Sequence, residues 1–180
     1  MSLLVLPLPS GREILFFGRI MEKLLIKVYK TPKLTKTLGV SSIIISWLFV
    51  LSFLYAAIVT VYLGEYRATV TFSLSLLVGY LLVSAVRVWI NAPRPYELYT
   101  FYEVPPKNRK GKSFPSRHAY SAFCIATLLY TVDRWLCLAL VIFAVTLCVF
   151  RALLGIHFIR DLLAGAVIGF ISGAAGLLLL

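Results

Sequence analysis

Acidic side chains are scarce in this 180-residue chain, with seven Asp and Glu against 18 Lys and Arg and a formal charge of +11. The seven are scattered, so no stretch resembles an oxygen-ligand cage for a divalent cation. Cysteine is sparse too. Cys124, Cys137 and Cys148 all fall inside apolar runs, an odd number at positions that suit small buried hydrophobes and exclude a disulfide framework. Only two histidines occur, His118 and His157. There is no internal repeat and no low-complexity tract. The first residues lack a small-residue cleavage site after their apolar stretch, so no signal peptide is expected.

What the chain has in excess is hydrocarbon. Hydrophobic residues fill 61% of positions, against roughly 45–50% in an ordinary soluble domain, and this places the chain in the membrane class. Beside such an excess, a strong positive charge points to anionic lipid headgroups or a phosphate-bearing substrate sooner than to nucleic acid. The first span is expected over Val40–Leu63, about 36 Å as a helix and long enough to cross a bilayer with tilt. Ala68–Ile90 follows after a short turn and must run antiparallel. The polar loop Asn91–Phe114 carries Pro93, Pro95, Pro105 and Pro106. Ser116–Val132 and Trp135–Phe150 are shorter spans about an Asp133-Arg134 turn. Phe158–Leu180 is the last, and its Gly165, Gly169, Gly173 and Gly176 would let another helix approach closely.

Residues Gly11–Lys30 are patterned differently. Ile14, Phe17, Ile20, Met21, Leu24, Leu25 and Val28 share one helical face, with Arg19, Glu22, Lys23 and Lys27 opposite. Such a helix lies on a membrane surface and is too charged to span it. The expected architecture is an all-α polytopic membrane bundle of about five transmembrane helices. An N-terminal interfacial amphipathic segment, 1–39, would precede the transmembrane unit, 40–180.

Charges beside membrane helices are costly and need a reason. They cluster at three places. Arg87 and Arg94 lie in RVWINAPRP, where Pro93 and Pro95 end a helix. GKSFPSRHAY places Ser116 as a plausible N-cap and His118 in the first turn, at the anion-favouring end of a helix. RALLGIHFIRD holds Arg151, then Gly155 as a bend, then His157 and Asp161 four residues apart, where a carboxylate on the same helical face could fix the imidazole's tautomer. Each alone has an ordinary explanation: snorkelling arginines, a capped helix, a local His–Asp pair. Following the spans, however, brings all three to one membrane face, where arginine forks, a hydroxyl, helix-start amides and two imidazoles would suit a tetrahedral phosphate.

The combination resembles the type 2 phosphatidic acid phosphatase (PAP2) superfamily. That signature is Lys-x6-Arg-Pro, then Pro-Ser-Gly-His, then Ser-Arg-x5-His-x3-Asp. Here it reads Arg87-x6-Arg94-Pro95, Pro115-Ser116-Arg117-His118 and Arg151-x5-His157-x3-Asp161, in the same order. Three positions depart from it: Arg87 stands for lysine, Arg117 for glycine, and Phe150 for the serine before Arg151. The resemblance implies a bacterial inner-membrane lipid phosphatase that needs no metal or other cofactor. His157 would attack phosphorus and become a phosphohistidine, with Asp161 holding its far nitrogen. His118 would protonate the leaving oxygen and then activate water. Arg87, Arg94, Ser116, the Arg117 amide and Arg151 would bind the phosphate oxygens.

Expected partners are a lipid phosphate substrate and anionic membrane lipids, with no nucleic acid. Undecaprenyl diphosphate, phosphatidic acid and phosphatidylglycerophosphate all fit equally. A lipid phosphotransferase is the alternative within enzymes, and a lipid-phosphate carrier the alternative outside them, although binding alone would need no nucleophile. The apolar spans set the chain apart from soluble vanadium haloperoxidases of similar signature. Orientation is contested. Members of the family place the site outside the cytoplasm, whereas 16 of the 18 Lys and Arg fall on the site's own face, which the positive-inside rule assigns to the cytoplasm.

Overall fold

A computed structural model of the chain describes residues 23–98 and 110–180. Its elements are helical: α1 over residues 23–29, α2 Pro32–Tyr62, α3 Tyr66–Ile90, the short α4 Pro95–Leu98, α5 Arg117–Leu128 with a 3-10 turn Leu129–Thr131, α6 Arg134–Leu153 and α7 Ile159–Leu178. The architecture is the expected all-α bundle. Most of the expected amphipathic segment, residues 11–22, lies outside the described residues. In its remainder the pattern is kept in part: Leu25 and Val28 are buried and Lys23, Lys27 and Lys30 exposed, but Leu24 of the expected apolar face is exposed as well.

Among the described residues, four helices are long and apolar enough to cross a membrane: Pro32–Tyr62, Tyr66–Leu98 (α3 with the short α4 that follows it), Arg134–Leu153 and Ile159–Leu178. Their outer surfaces carry bare Trp47, Ile58, Leu77, Ile142 and Phe170. Inward positions of α2 are less greasy. They run Leu38, Ser42, Ile45, Phe49, Ser52, Ala56, Thr60, at steps of three and four. Ser52 and Thr60 there return their hydroxyls to the carbonyls of Leu48 and Ala56, so each polar group is satisfied within its own helix. A bundle more apolar outside than inside is built for lipid.

The third expected span, Ser116–Val132, takes another form. α5 and its 3-10 turn reach only about 24 Å, and their side chains Ala119, Tyr120, Ala122, Cys124, Ile125, Ala126, Leu128 and Leu129 are all buried. Surrounded by protein, this helix need not match the thickness of hydrocarbon. It docks on the glycine stripe of α7: a Cβ on Gly165 would strike the carbonyl of Ser116, and one on Gly169 that of Tyr120. The Tyr120 hydroxyl reaches the carbonyls of Ser75 and Leu76 on α3, 3.0 Å from each.

The polar ends converge as counting spans requires. Arg94 contacts Ile156 O and Ser116 N donates to Asp161 O at one end of the bundle. At the other end Arg67 donates to Leu179 O, and Thr60 meets Thr69.

Candidate active site

The C-terminal ends of α3 and α6 and the N-terminal ends of α5 and α7 surround a buried, strongly polar cluster. Arg87 comes from the last turn of α3 and Arg151 from the last turn of α6. Arg94 precedes α4, after Asn91 closes α3 in a left-handed conformation at φ 46°. All three arginines are at most 7% exposed. Two of them shape the loop before α5. Arg87 donates through one terminal nitrogen to the carbonyls of Ser113 and Pro115, at 3.0 and 2.6 Å. Arg94 donates to Gly111 O at 3.0 Å and to Ile156 O at 3.2 Å. Glu97 completes the frame by accepting from the amides of Arg94 and Gly111. Arg151 differs from both: its buried Nε has no hydrogen-bond partner.

Ser116 is the N-cap of α5, as its place in the sequence suggests, and its hydroxyl accepts from Ala119 N at 3.4 Å. Its own amide donates to Asp161 O at 2.9 Å, which fixes the start of α5 against the start of α7. Arg117 and His118 open that first turn. The Arg117 guanidinium lies over the Tyr80 ring, 5.4 Å from its centre. Both residues border a cavity of about 250 Å³ that also touches Ser46, Phe49 and Leu147.

His157 and Asp161 do meet, though not on one helical face. Gly155, at φ +59°, turns the chain out of α6, and α7 begins only at Ile159, so His157 lies in the connection. Asp161 is the third residue of α7 and folds back to accept from Phe158 N at 3.1 Å. Its Oδ2 is 3.8 Å from His157 Nδ1, too long for a direct hydrogen bond. Ser113 fills the gap, a residue to which the sequence reading gave no role. Its hydroxyl donates to Asp161 Oδ2 at 2.5 Å and lies 3.3 Å from His157 Nδ1. A hydroxyl has one proton. With that proton on the carboxylate, Nδ1 must carry the imidazole hydrogen and donate to Ser113, which leaves the lone pair on Nε2. Burial depresses the imidazole pKa from its usual 6.5 to about 4, against the opposing effect of Asp161. The ring is therefore neutral near pH 7.

Among the described residues, no group of three His, Cys, Asp or Glu side chains is arranged to hold a metal ion. The buried charges of the cluster are three guanidiniums and one carboxylate. Buried cations are unfavourable unless paired, and here they outnumber the buried carboxylate by two.

Residues 68–179 match the family model of the PAP2 superfamily. The chain belongs to that superfamily. The PAP2 match covers α3 to α7 and every motif residue named above. Among curated relatives, the lipid A 4'-phosphatase of Bacteroides thetaiotaomicron is 39% identical over 74 residues, 40% of this chain and 33% of that protein. The match thus spans about a third of that relative's length. Among solved structures, LpxE of Aquifex aeolicus aligns over 86% of this chain and 93% of its own, with a TM-score of 0.65 and 24% identity. The transmembrane PAP2-type phosphatidylglycerolphosphate phosphatase of Bacillus subtilis aligns over 93% and 86%, with a TM-score of 0.71 and 22% identity. At these identities the two structures show a shared membrane fold. The chain is an integral membrane protein, and these relatives are bacterial.

Proposed function

We propose that the protein is a metal-independent lipid phosphatase acting through a phosphohistidine on His157. The observation that carries this reading is the excess of buried cation, three arginines about one carboxylate with Arg151 Nε unpartnered, beside an imidazole whose Nε2 is left as a lone pair. A phosphate monoester or diphosphate supplies the missing negative charge. The curated relative and the Bacillus subtilis structure support a lipid as its carrier, since each is named as a phosphatase of a lipid.

The chemistry follows from these positions. Nε2 of His157 attacks phosphorus in line with the ester oxygen, a P–N bond forms and the P–O bond breaks. His118 gives its proton to the departing oxygen. Water then attacks the phosphohistidine, His118 takes a proton from it, and the P–N bond breaks to return the neutral imidazole and inorganic phosphate. As the ring gains charge in the first step, Ser113 and Asp161 stabilise its Nδ1–H. Arg151 and the unused N–H groups of Arg87 and Arg94, together with the first turn of α5, hold the non-bridging oxygens. Because Arg87 and Arg94 also bind loop carbonyls, this oxyanion site is assembled before substrate arrives.

Phosphatidic acid, phosphatidylglycerophosphate, a prenyl diphosphate and a phosphorylated glycolipid all present a phosphate at headgroup depth. The test is phosphate release from a panel of these lipids by purified protein in neutral detergent with EDTA. Activity should persist in the chelator and fall to background in His157→Ala and His118→Ala. Loss of activity in EDTA that returns with a divalent ion would sink the mechanism.

A further inference from the structure

The PAP2 match begins at residue 68, yet a cavity of about 580 Å³ lies largely between α1, α2 and the end of α6. That volume is on the scale of a whole small-molecule site and far exceeds what one phosphoryl group fills. Arg151 lines it, 4% exposed, with a buried Nε that no protein group satisfies. Across from it stands Lys36, exposed on α2, with Val40 and Ile43 below at four- and seven-residue steps on the same face. Among the described residues, no acidic side chain is in the lining. The walls are tied together: Tyr29 donates its hydroxyl to Leu154 O at 3.0 Å, and Thr35 donates to Val28 O at 2.8 Å. The Tyr29 phenol, pushed up to about 12 by burial and by Tyr96 beside it, stays a neutral donor at working pH. The smaller cavity at His118 is lined by Ser46 of α2 and Leu147 of α6, each one turn from residues lining the larger. The two cavities are therefore stacked along the α2–α6 groove, one beside the acid–base histidine and one beside Arg151.

We propose that the larger cavity is a headgroup subsite for a second phosphoryl group of the substrate, bound by Lys36. The inference rests on the phosphatase reading and narrows its substrate class to lipids carrying two phosphoryl groups. Arg151 serves the reacting phosphate, while Lys36, on a flexible stem nearer the membrane surface, meets the additional charge. Val40 and Ile43 carry the apolar wall on from Lys36 along α2, alongside the start of the acyl or prenyl chain. The α1 and α2 residues of the lining lie outside the matched family region and Arg151, Leu154 and Ile156 inside it, so the subsite would join Lys36 to an arginine of the core.

Farnesyl phosphate and farnesyl diphosphate, compared in neutral detergent with EDTA, provide the test. Lys36→Gln should lower the ratio of kcat/KM for diphosphate over monophosphate about tenfold, mainly through KM, the size expected for one charge-assisted contact. Lys36→Arg should restore most of the ratio, and Lys33→Gln, on the same exposed turn but outside the cavity, should leave it unchanged. An unchanged ratio in Lys36→Gln, or an equal loss with both substrates, would assign Lys36 to general surface attraction and overturn the subsite. Binding of farnesyl methylenediphosphonate separates the two readings. If wild-type protein releases no phosphate but Lys36→Gln still weakens this binding about tenfold, the phosphatase reading fails and the subsite stands. If Lys36→Gln binds the diphosphonate as wild type does, the subsite fails whatever the activity.

Discussion

His157 is the buried imidazole of the site. Four residues separate it from Asp161, and that spacing correctly signals proximity, but the cause is a capping interaction at the start of α7 and not a shared helical face. Ser113 carried no comparable signal. A lone serine in a polar loop has no spacing partner, and only the fold shows its hydroxyl between carboxylate and imidazole. Ser113→Ala should lower kcat about tenfold to a hundredfold, the cost of one hydrogen bond to a charged group. Arg117→Gly should keep most of the activity, because that guanidinium stacks over Tyr80. A silent Arg117→Gly would place the side chain in the site. The titration of His157 is also accessible. In His118→Gln protein without a histidine tag it is the sole histidine, and its imidazole nitrogens should titrate by NMR near 4. The lowered pKa means the unfolded chain takes up this proton first, so the contribution of His157 to stability is complete above about pH 6.5 and is lost as pH falls towards 4. A midpoint at or above 6.5 would contradict the neutral nucleophile.

At the scale of elements, the long apolar runs identified the lipid-facing helices well, because length and hydropathy are set by the bilayer itself. α5 was legible as an apolar run opening at an N-cap Ser116, but not as a short buried helix. Its short length follows from burial on all sides by protein, a tertiary fact that no local pattern carries. The glycines of α7 announced close packing without naming the partner, which is α5. That contact sets the spacing between the two halves of the site, since Ser116 and Asp161 are also tied through the backbone. Gly165→Ala pushes a methyl group into Ser116 O and should displace the first turn of α5. Shifts of about 1 Å in an active site cost as much as a hundredfold, so kcat should fall by tenfold or more. Phe170→Leu, on the lipid face of the same helix, should change it little. Full activity in Gly165→Ala would show that the α5–α7 spacing does not position the reacting groups.

For the whole molecule, counting spans was enough to bring three distant motifs to one membrane face, and the described residues meet there. The contents of the larger cavity were not legible, because Arg151 and the α1–α2 corner are brought together only by the fold. Charge opposes the extracytoplasmic placement that the family resemblance implies. Lys23, Lys27, Lys30, Lys33, Lys36 and Lys110 all sit at the site end and are exposed, whereas Arg67 and Arg134 are the basic residues of the opposite end. The positive-inside rule then predicts a cytoplasm-facing site and a substrate drawn from the inner leaflet. Cysteines placed singly at Lys110 and Glu65, with the three native cysteines replaced, should behave oppositely towards an impermeant maleimide in intact cells. Protection at 110 and labelling at 65 are expected; the reverse pattern would put the site outside.

Phosphoryl transfer through His157 requires a covalent intermediate that can be trapped. Protein mixed with lipid carrying a radiolabelled phosphoryl group and quenched in alkali during turnover should hold a base-stable, acid-labile label. After proteolysis the label should map to the peptide containing His157 and be absent from His157→Ala. Label on His118 instead, or phosphate release by His157→Ala at the wild-type rate, would contradict the account.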